Sequence, residues 1–116
     1  GVAPDNIYLD PLVFPVSTNG RAGVDVLETI RYIRATYPKV HTVCGLSNVS
    51  YGLPVRKLLN RAFLVLCMGA GLDGVIADPL DETLMALIYA SEVLLERDEY
   101  AANYISLSRQ GKLEQV

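Results

Sequence analysis

Three polar side chains, Asp10, Asn48 and Asp78, each stand near the end of an apolar stretch of the sequence. They are 38 and 30 residues apart, and each step is long enough for one strand and one helix. If the apolar stretches are neighbouring parallel strands, these side chains lie at the carboxyl edge of a sheet, where α/β folds bind their ligands. Carboxylate and amide oxygens there could accept hydrogen bonds from the N–H groups of a heterocycle.

Each of these residues also has a plain structural explanation. Asparagine is common in turns, because its side chain bonds nearby backbone groups, so Asn48 could be a turn residue. Asp10 could be an exposed acid at a barrel rim, although nothing in the sequence demands a turn there. Asp78 is close to Asp81 and Glu82, which favour a helix-start or loop role. The residues alone leave both interpretations open at all three positions.

Arg56 and Tyr51 are further candidates near Asn48. Helix starts favour acidic residues because of the helix dipole, so an arginine there is out of place. Arg56 is either a solvated surface residue or reaches toward an anionic or heteroaromatic ligand. Tyr51 could stack on a ring or cover part of the core. His41 begins a predicted strand, at the opposite end from the candidate site, and is interpreted as structural.

Several familiar kinds of catalytic site are not indicated. The glycines of GAGLDG close a predicted helix and open a strand, whereas nucleotide-binding glycines follow a strand and open a helix. There is no G-x-S-x-G nucleophile motif and no G-K-[ST] phosphate loop. With one histidine and no CxxC or HxxxH spacing, no metal site is predicted.

The elements that must position the candidates are three strand-then-helix pairs. The predicted strands are NIYLDPLVFPVS, VHTVCGLS and LDGVIADP. The first helix, ended by Pro38, should bury Val26, Ile30, Ile33 and Tyr37. The second should begin at Pro54, end at Gly69 or Gly71, and bury Val55, Leu58, Leu59, Ala62, Phe63, Leu66 and Ala70. The third should be capped by Asp81 and carry Leu84, Leu87, Ile88, Ser91, Leu94 and Leu95. The tail, Tyr100 to Val116, is predicted to be a short helix with a polar end.

Alternating strands and helices predict an α/β fold with a parallel sheet, and the near-continuous apolar strands predict helices on both faces. A closed β/α barrel needs eight such units, and an open three-stranded sheet leaves long edges exposed. Residues 1–116 are therefore predicted to be a single partial domain that belongs to a larger β/α barrel. The rest of the barrel would be a missing part of the same protein, a second copy in a domain-swapped homo-oligomer or a separately encoded partner.

Composition excludes several partners. A net charge of −3 and a pI near 5.0 give no basic patch for nucleic acid or an anionic membrane. The longest apolar run is too short to span a bilayer, and no signal peptide is indicated. Cys44 and Cys67 lie in apolar stretches and are predicted to be buried free thiols in a reducing cytoplasm. A hydrophobic content of 51% in only 116 residues indicates either an unusually dense core or apolar faces covered by other protein segments.

The stretch GLSNVSYGLPVRKLLNRAFLVLCMGAGLDGVIADPLDE resembles the C-terminal part of methyltetrahydrofolate-dependent methyltransferases. These include the corrinoid protein methyltransferases and the folate-binding domain of cobalamin-dependent methionine synthase; dihydropteroate synthase is a more distant relative. The shared features are G-L-S-N-V-S, an arginine eight residues after Asn48, L-N-x-x-F-L and G-L-D-x-x-I-x-D-P. YLDPLVFPVS resembles the D-P-L segment of the same family, and the similarity extends to about Glu99.

The resemblance implies that these three βα units are the C-terminal part of a pterin-binding TIM-type (β/α)8 barrel, with an N-terminal barrel half missing. Such a barrel moves methyl from methyltetrahydrofolate to the cobalt of a corrinoid carried by a partner protein. It implies that Asp10 hydrogen-bonds the pterin ring and that Asn48, the catalytic candidate, faces the nitrogen bearing the methyl group. Arg56 matches an arginine near the pterin pocket, with Ser47 beside Asn48, and Asp78 is the remaining substrate-binding candidate. The other pterin-binding acid and amide of the family come from earlier strands, which this sequence does not include. Two alternatives stay open: a dihydropteroate-synthase-like enzyme and a non-catalytic partial barrel.

Overall fold

The computed structural model describes residues 1–113, and its contacts divide the chain into two compact units. The first, Gly1–Ala77, contains β1 (Tyr8–Leu9), α1 (Ala22–Thr36), β2 (His41–Gly45), α2 (Arg56–Ala70) and β3 (Gly74–Ile76), with 3-10 turns at Pro4–Asn6 and Ser47–Ser50. The second, Asp78–Val116, contains α3 (Glu82–Leu94) and α4 (Ala102–Arg109), with a 3-10 turn at Glu99–Ala101. The predicted order of strands and helices is confirmed. The predicted tail helix is α4, and residues 114–116 of its predicted polar end lie outside the described residues.

The three strands form one parallel sheet in the order β1-β2-β3. Tyr8 pairs with His41 at one edge, and Gly45 pairs with Ile76 at the other. Each crossover returns to the next strand in sequence, and right-handed crossovers in this order place α1 and α2 on the same face of the sheet.

The sheet of the first unit therefore has one covered face and one open face. Thr42 and Cys44 point toward the helices and are completely buried. Tyr8 and Ile76, on the opposite face, are 61% and 68% exposed. The prediction that helices cover both faces is wrong for this unit, because sequential right-handed crossovers supply helices to one side only. Helices on one side and open strands on the other are the arrangement of a wall segment of a β/α barrel.

All three strands are shorter than the apolar runs that predicted them. β1 ends at Leu9, because Pro11 and Pro15 have no N–H for the ladder and Leu12 has a positive φ of 61°. β2 gives way after Gly45 to the Ser47–Ser50 turn. β3 ends at Ile76, two residues before another Asp-Pro-Leu sequence.

The helices match their predicted positions better than their predicted faces. In α1, Val26, Ile30 and Ile33 are buried as predicted, but Tyr37 lies beyond the helix and is exposed. The start of α2 at Pro54 is wrong: Val55 has a left-handed backbone (φ 54°), and the helix begins at Arg56.

The buried face of α2 is displaced from the predicted one. Phe63 and Ala70 are buried, but Val55, Leu58, Ala62 and Leu66 are exposed, and the buried set is instead completed by Leu64, Cys67 and Met68. In α3, Leu84 and Ser91 are buried as predicted, whereas Leu94 is exposed. Two predicted helix boundaries are confirmed: Gly71 ends α2 with φ 117°, and Asp81 Oδ1 accepts the Leu84 amide at 3.1 Å at the start of α3.

Candidate functional site

The candidate site of the first unit is built on the short turn Ser47–Ser50 that follows β2. Val49 is buried and fixes the turn to the core, whereas Ser47 and Asn48 are exposed. The turn therefore presents two polar side chains to solvent from a fixed backbone. It lies at the carboxyl end of a parallel strand, as predicted for a ligand-binding position.

Arg56, the first residue of α2, reaches back and holds this turn. Its Nη2 donates to the Ser47 carbonyl at 2.7 Å and to the Ser47 hydroxyl at 3.0 Å, and its Nε donates to Ser50 Oγ at 3.0 Å. The guanidinium also lies 5.8 Å from the ring centre of Tyr51, within cation–π range. Neither interpretation of Arg56 included this role, in which the guanidinium fixes the loop that carries Asn48.

A second set of bonds joins the turn to the segment before α1. Asn48 Nδ2 donates to the Val13 carbonyl at 2.6 Å, and the Val16 amide donates to the Val49 carbonyl at 3.0 Å. Because a carbonyl can only accept, the nitrogen of the Asn48 amide must face Val13. The amide oxygen, Oδ1, is left as the acceptor that Asn48 can offer to a ligand.

Asp10 and Asp78 form the same local turn. Oδ1 of Asp10 accepts the Leu12 amide at 2.9 Å, and Oδ1 of Asp78 accepts the Leu80 amide at 2.9 Å. Their predicted equivalence is confirmed, but the expectation that nothing demands a turn at Asp10 is wrong. Among residues 1–113, no group bonds Oδ2 of Asp10, so one carboxylate oxygen is available to a ligand.

The structure thus places Asp10, Ser47 and Asn48 at carboxyl ends of strands in the first unit, and links Ser47 directly to Arg56. Asp78 belongs to the second unit, which is described by itself. Two polar residues of this site were missed in the sequence: Ser50, which is completely buried, and Asn60, whose Oδ1 lies 2.7 Å from Ser50 Oγ. The spacing of Arg56 and Asn60 by four residues, on one face of a helix, is the signal that could have found Asn60.

The sequence profile of a family described as "Pterin binding enzyme" matches residues 1–78. The chain belongs to the pterin-binding enzyme family. It is 38% identical to a methylcorrinoid:tetrahydrofolate methyltransferase of Eubacterium limosum over 115 residues, which are 99% of this chain and 42% of that relative. It is 36% identical to the methionine synthase of Mycobacterium tuberculosis (strain ATCC 25618 / H37Rv) over 100 residues, 81% of this chain and 8% of that relative. The methionine synthase of Mycobacterium leprae (strain TN) is 34% identical over 100 residues, 7% of its length. The chain therefore spans less than half the length of these relatives.

A second polar cluster lies at the amino end of β2. His41 Nδ1 is 2.6 Å from Asp73 Oδ2, and the His41 ring stacks on Tyr8 with centroids 4.7 Å apart. The Thr42 amide donates to Asp73 Oδ1 at 2.6 Å. These contacts, at the end of the strand opposite Asn48, support the structural interpretation of His41.

The two cysteines are free and buried, as predicted. The pKa of Cys67 is raised by its hydrogen bond with Cys44 and by burial. The thiol of Cys67 therefore stays protonated and packs as a small apolar group between α2 and β2. Within residues 1–113, no helix is long and apolar enough to cross a membrane.

Proposed function

We propose that the protein containing this chain transfers a methyl group from methyltetrahydrofolate to the cobalt of a corrinoid held by a partner protein or domain. The family match and the names of the relatives support a folate-dependent methyltransferase. The observation that carries the proposal is the orientation of Asn48, whose amide nitrogen is held by Val13 and whose oxygen faces away as an acceptor.

The chemistry explains why an acceptor is needed at this point. A tertiary amine leaves only when its nitrogen is cationic, so the methyl-bearing nitrogen must be protonated before transfer. Asn48 cannot supply that proton, because an amide has no useful pKa. Its oxygen can accept a hydrogen bond from the protonated nitrogen, an interaction stronger in the transition state than in the neutral substrate. The corrinoid supplies the cobalt nucleophile.

Asp10 is proposed to bind the pterin ring. Its Oδ1 is fixed by Leu12, so Oδ2 has a set direction in which to accept an N–H of the ring. Ser47 and Arg56 are proposed to line the pterin site next to Asn48. Asp78, which belongs to the second unit, is proposed as a further substrate contact. The corrinoid partner would approach the carboxyl ends of the strands of the first unit, where Asp10, Ser47 and Asn48 lie.

We further propose that the open sheet face is covered by the rest of a β/α barrel, either an N-terminal half of the same protein or a second copy. The exposed Tyr8 and Ile76 side chains on that face support this. The two free thiols suit the reducing cytoplasm, the proposed location.

Two substitutions in the full protein test the proposed function. Asp10→Ala should weaken methyltetrahydrofolate binding about 10-fold or more in calorimetry, because the loss of a charged hydrogen bond costs about 1.5–3 kcal/mol. Asn48→Ala should lower the transfer rate to cob(I)alamin about 100-fold, with a smaller change in affinity, because its contact strengthens only in the transition state.

The control variant is Asp5→Ala, an exposed acid on the Pro4–Asn6 turn, which should change neither quantity. Equal transfer rates in the wild type and Asn48→Ala would remove the catalytic role of Asn48. If calorimetry shows that methyltetrahydrofolate binds but no methyl transfer occurs in either direction, the non-catalytic alternative is favoured. Condensation of a pterin with p-aminobenzoate would favour the dihydropteroate-synthase-like alternative.

A further inference from the structure

Ser50 is the junction of the hydrogen bonds beneath the Ser47–Ser50 turn. It is completely buried, yet its hydroxyl lies within hydrogen-bond distance of three groups. Arg56 Nε is at 3.0 Å, Asn60 Oδ1 at 2.7 Å and the Ser47 carbonyl at 3.1 Å. A serine buried this deeply must have its hydroxyl satisfied, so these bonds fix how the turn lies on α2.

The donors and acceptors allow one main arrangement. The Nε–H of Arg56 can only donate, so Ser50 Oγ accepts from it. Asn60 Oδ1 can only accept and is the nearer of the two remaining partners, so the Ser50 hydroxyl donates mainly to Asn60. The result is a directed chain from Arg56 through Ser50 to Asn60, in which each bond polarises the next.

This chain fixes Arg56, and Arg56 fixes the turn. Arg56 and Asn60 are four residues apart on α2, and both hydrogen-bond Ser50 from the same face of the helix. With Nε held by Ser50, the guanidinium directs Nη2 at both the carbonyl and the hydroxyl of Ser47. Asn48 therefore lies between Ser47 and Ser50 in the turn, and both of these serines are bonded to Arg56.

We infer that Ser50 and Asn60 are positioning residues for Asn48, acting through Arg56 and the Ser47–Ser50 turn. The inference rests on the proposed function for its effect on methyl transfer, but its structural part can be tested without activity. Neither side chain is proposed to touch the pterin. Their role is to hold the Asn48 oxygen at the place where positive charge develops on the reacting nitrogen.

The structural test measures Asn48 directly. In nuclear magnetic resonance spectra of the full protein, the side-chain NH2 signals of Asn48, identified by their loss in Asn48→Ala, report its bond to Val13. Ser50→Ala and Asn60→Leu should shift these signals toward the values of a solvent-exposed amide. Unchanged signals in folded Ser50→Ala and Asn60→Leu proteins would overturn the inference, whatever the protein's activity.

The matched control is Ser91→Ala, which removes another mostly buried serine hydroxyl, on α3 in the second unit. It should leave the Asn48 signals unchanged. Asn60→Asp keeps an acceptor for Ser50 and should retain the wild-type signals, which separates the loss of the acceptor from a change in the shape of the side chain. A shift of the Asn48 signals in Asn60→Asp equal to that in Asn60→Leu would count against the directed chain.

The kinetic test asks whether the effect passes through Asn48. Ser50→Ala should lower kcat about 10- to 100-fold with little change in KM for methyltetrahydrofolate, because displacement of a reacting group by about 1 Å has effects of this size. In an Asn48→Ala background the same substitution should change kcat less than about 3-fold, because the group it positions is gone. Full additivity of the two substitutions would overturn the inference. A wild-type protein without any methyl transfer would instead overturn the proposed function and leave the spectroscopic result to decide the positioning role.

Discussion

Asp73 joins the amino end of β2 to the end of α2 through its carboxylate. It accepts the Thr42 amide at 2.6 Å and the Thr42 hydroxyl at 3.2 Å, and it bonds His41 at 2.6 Å. Burial acts to raise the pKa of Asp73, but the hydrogen bonds from His41 and Thr42 outweigh it, and the pKa is lowered overall. The fold therefore favours the ionised carboxylate.

Because of Asp73, the free energy of unfolding should decrease as the pH falls. A group with a lowered folded pKa contributes its full stabilisation above its unfolded pKa, ordinarily 3.8, and loses it as the pH falls through the folded pKa. Asp73→Asn should lower the free energy of unfolding by about 1–3 kcal/mol near neutral pH. Denaturant unfolding at neutral pH and below about pH 4 should show this difference shrinking in acid. A constant difference at all pH values would contradict the ionic contribution.

At the same scale, the sequence predicted which residues stand at the strand ends but not how each is held. The turn interpretation of Asn48 is confirmed, since it lies in the Ser47–Ser50 turn, and its role as a ligand contact stays a prediction. The bond from Asn48 to Val13 and the bonds from Arg56 to Ser47 and Ser50 were not predicted. The bonds of Arg56 depend on the path of residues 51–55, where Val55 adopts a left-handed backbone that its residue type disfavours.

At the scale of the element, α2 depends on how it ends. Gly71 has φ 117°, and its amide and that of Leu72 bond the last carbonyls of the helix. A Cβ at Gly71 would lie 2.5 Å from Arg34 Cγ. Both the backbone angle and the close approach of α1 therefore require glycine at this position.

Gly71→Ala should lower the free energy of unfolding by about 1–3 kcal/mol, since a strained backbone angle costs this much and the Arg34 side chain must also move. Gly69→Ala is the matched control. Gly69 is helical, and a Cβ there would meet no atom within 4 Å, so alanine should leave stability unchanged or raise it by up to about 1 kcal/mol. The comparison uses thermal or denaturant unfolding of the two variants. Equal effects of the two would contradict the account of the helix end.

Element order was predictable because proline, glycine and capping residues punctuate the apolar runs, as Asp81 and Gly71 show. Strand length was not, because the run after Leu9 stays apolar while Pro11 and the Asp10 turn remove the chain from the ladder. The buried face of α2 was predicted incorrectly because Leu58 and Leu66, which are exposed, are as apolar as the buried Leu64. Hydrophobicity alone does not tell which of them meets the sheet.

At the scale of the whole molecule, the open sheet face of the first unit accounts for part of the apolar excess in the sequence. Tyr8 and Ile76 lie on this face, and Leu12 and Phe14 are exposed in the segment after β1. Large exposed apolar side chains that cluster on one face mark a surface made for contact with protein. An apolar surface of this kind can be covered by another part of the same protein, by a second copy or by a separate partner, and the sequence is compatible with all three.

Residues 1–116 expressed alone should self-associate through this face. In sedimentation velocity, the average mass should rise with concentration, and Tyr8→Thr combined with Ile76→Thr should reduce the association by removing apolar area. Tyr32→Thr, which changes an exposed tyrosine on α1, is the control and should have little effect. A stable monomer at all concentrations would contradict the prediction.

The bonds between the Ser47–Ser50 turn and the segment before α1 have a practical consequence. Asn48, Val49 and Tyr51 bond Val13, Val16 and Ser17, respectively. A ligand that rotates the Asn48 amide would break its bond to the Val13 carbonyl, so such a rotation would change a contact of the loop before α1. A fluorophore attached at Phe14→Cys, an exposed position within that loop, would then report on events at Asn48 without any change to the Ser47–Ser50 turn itself.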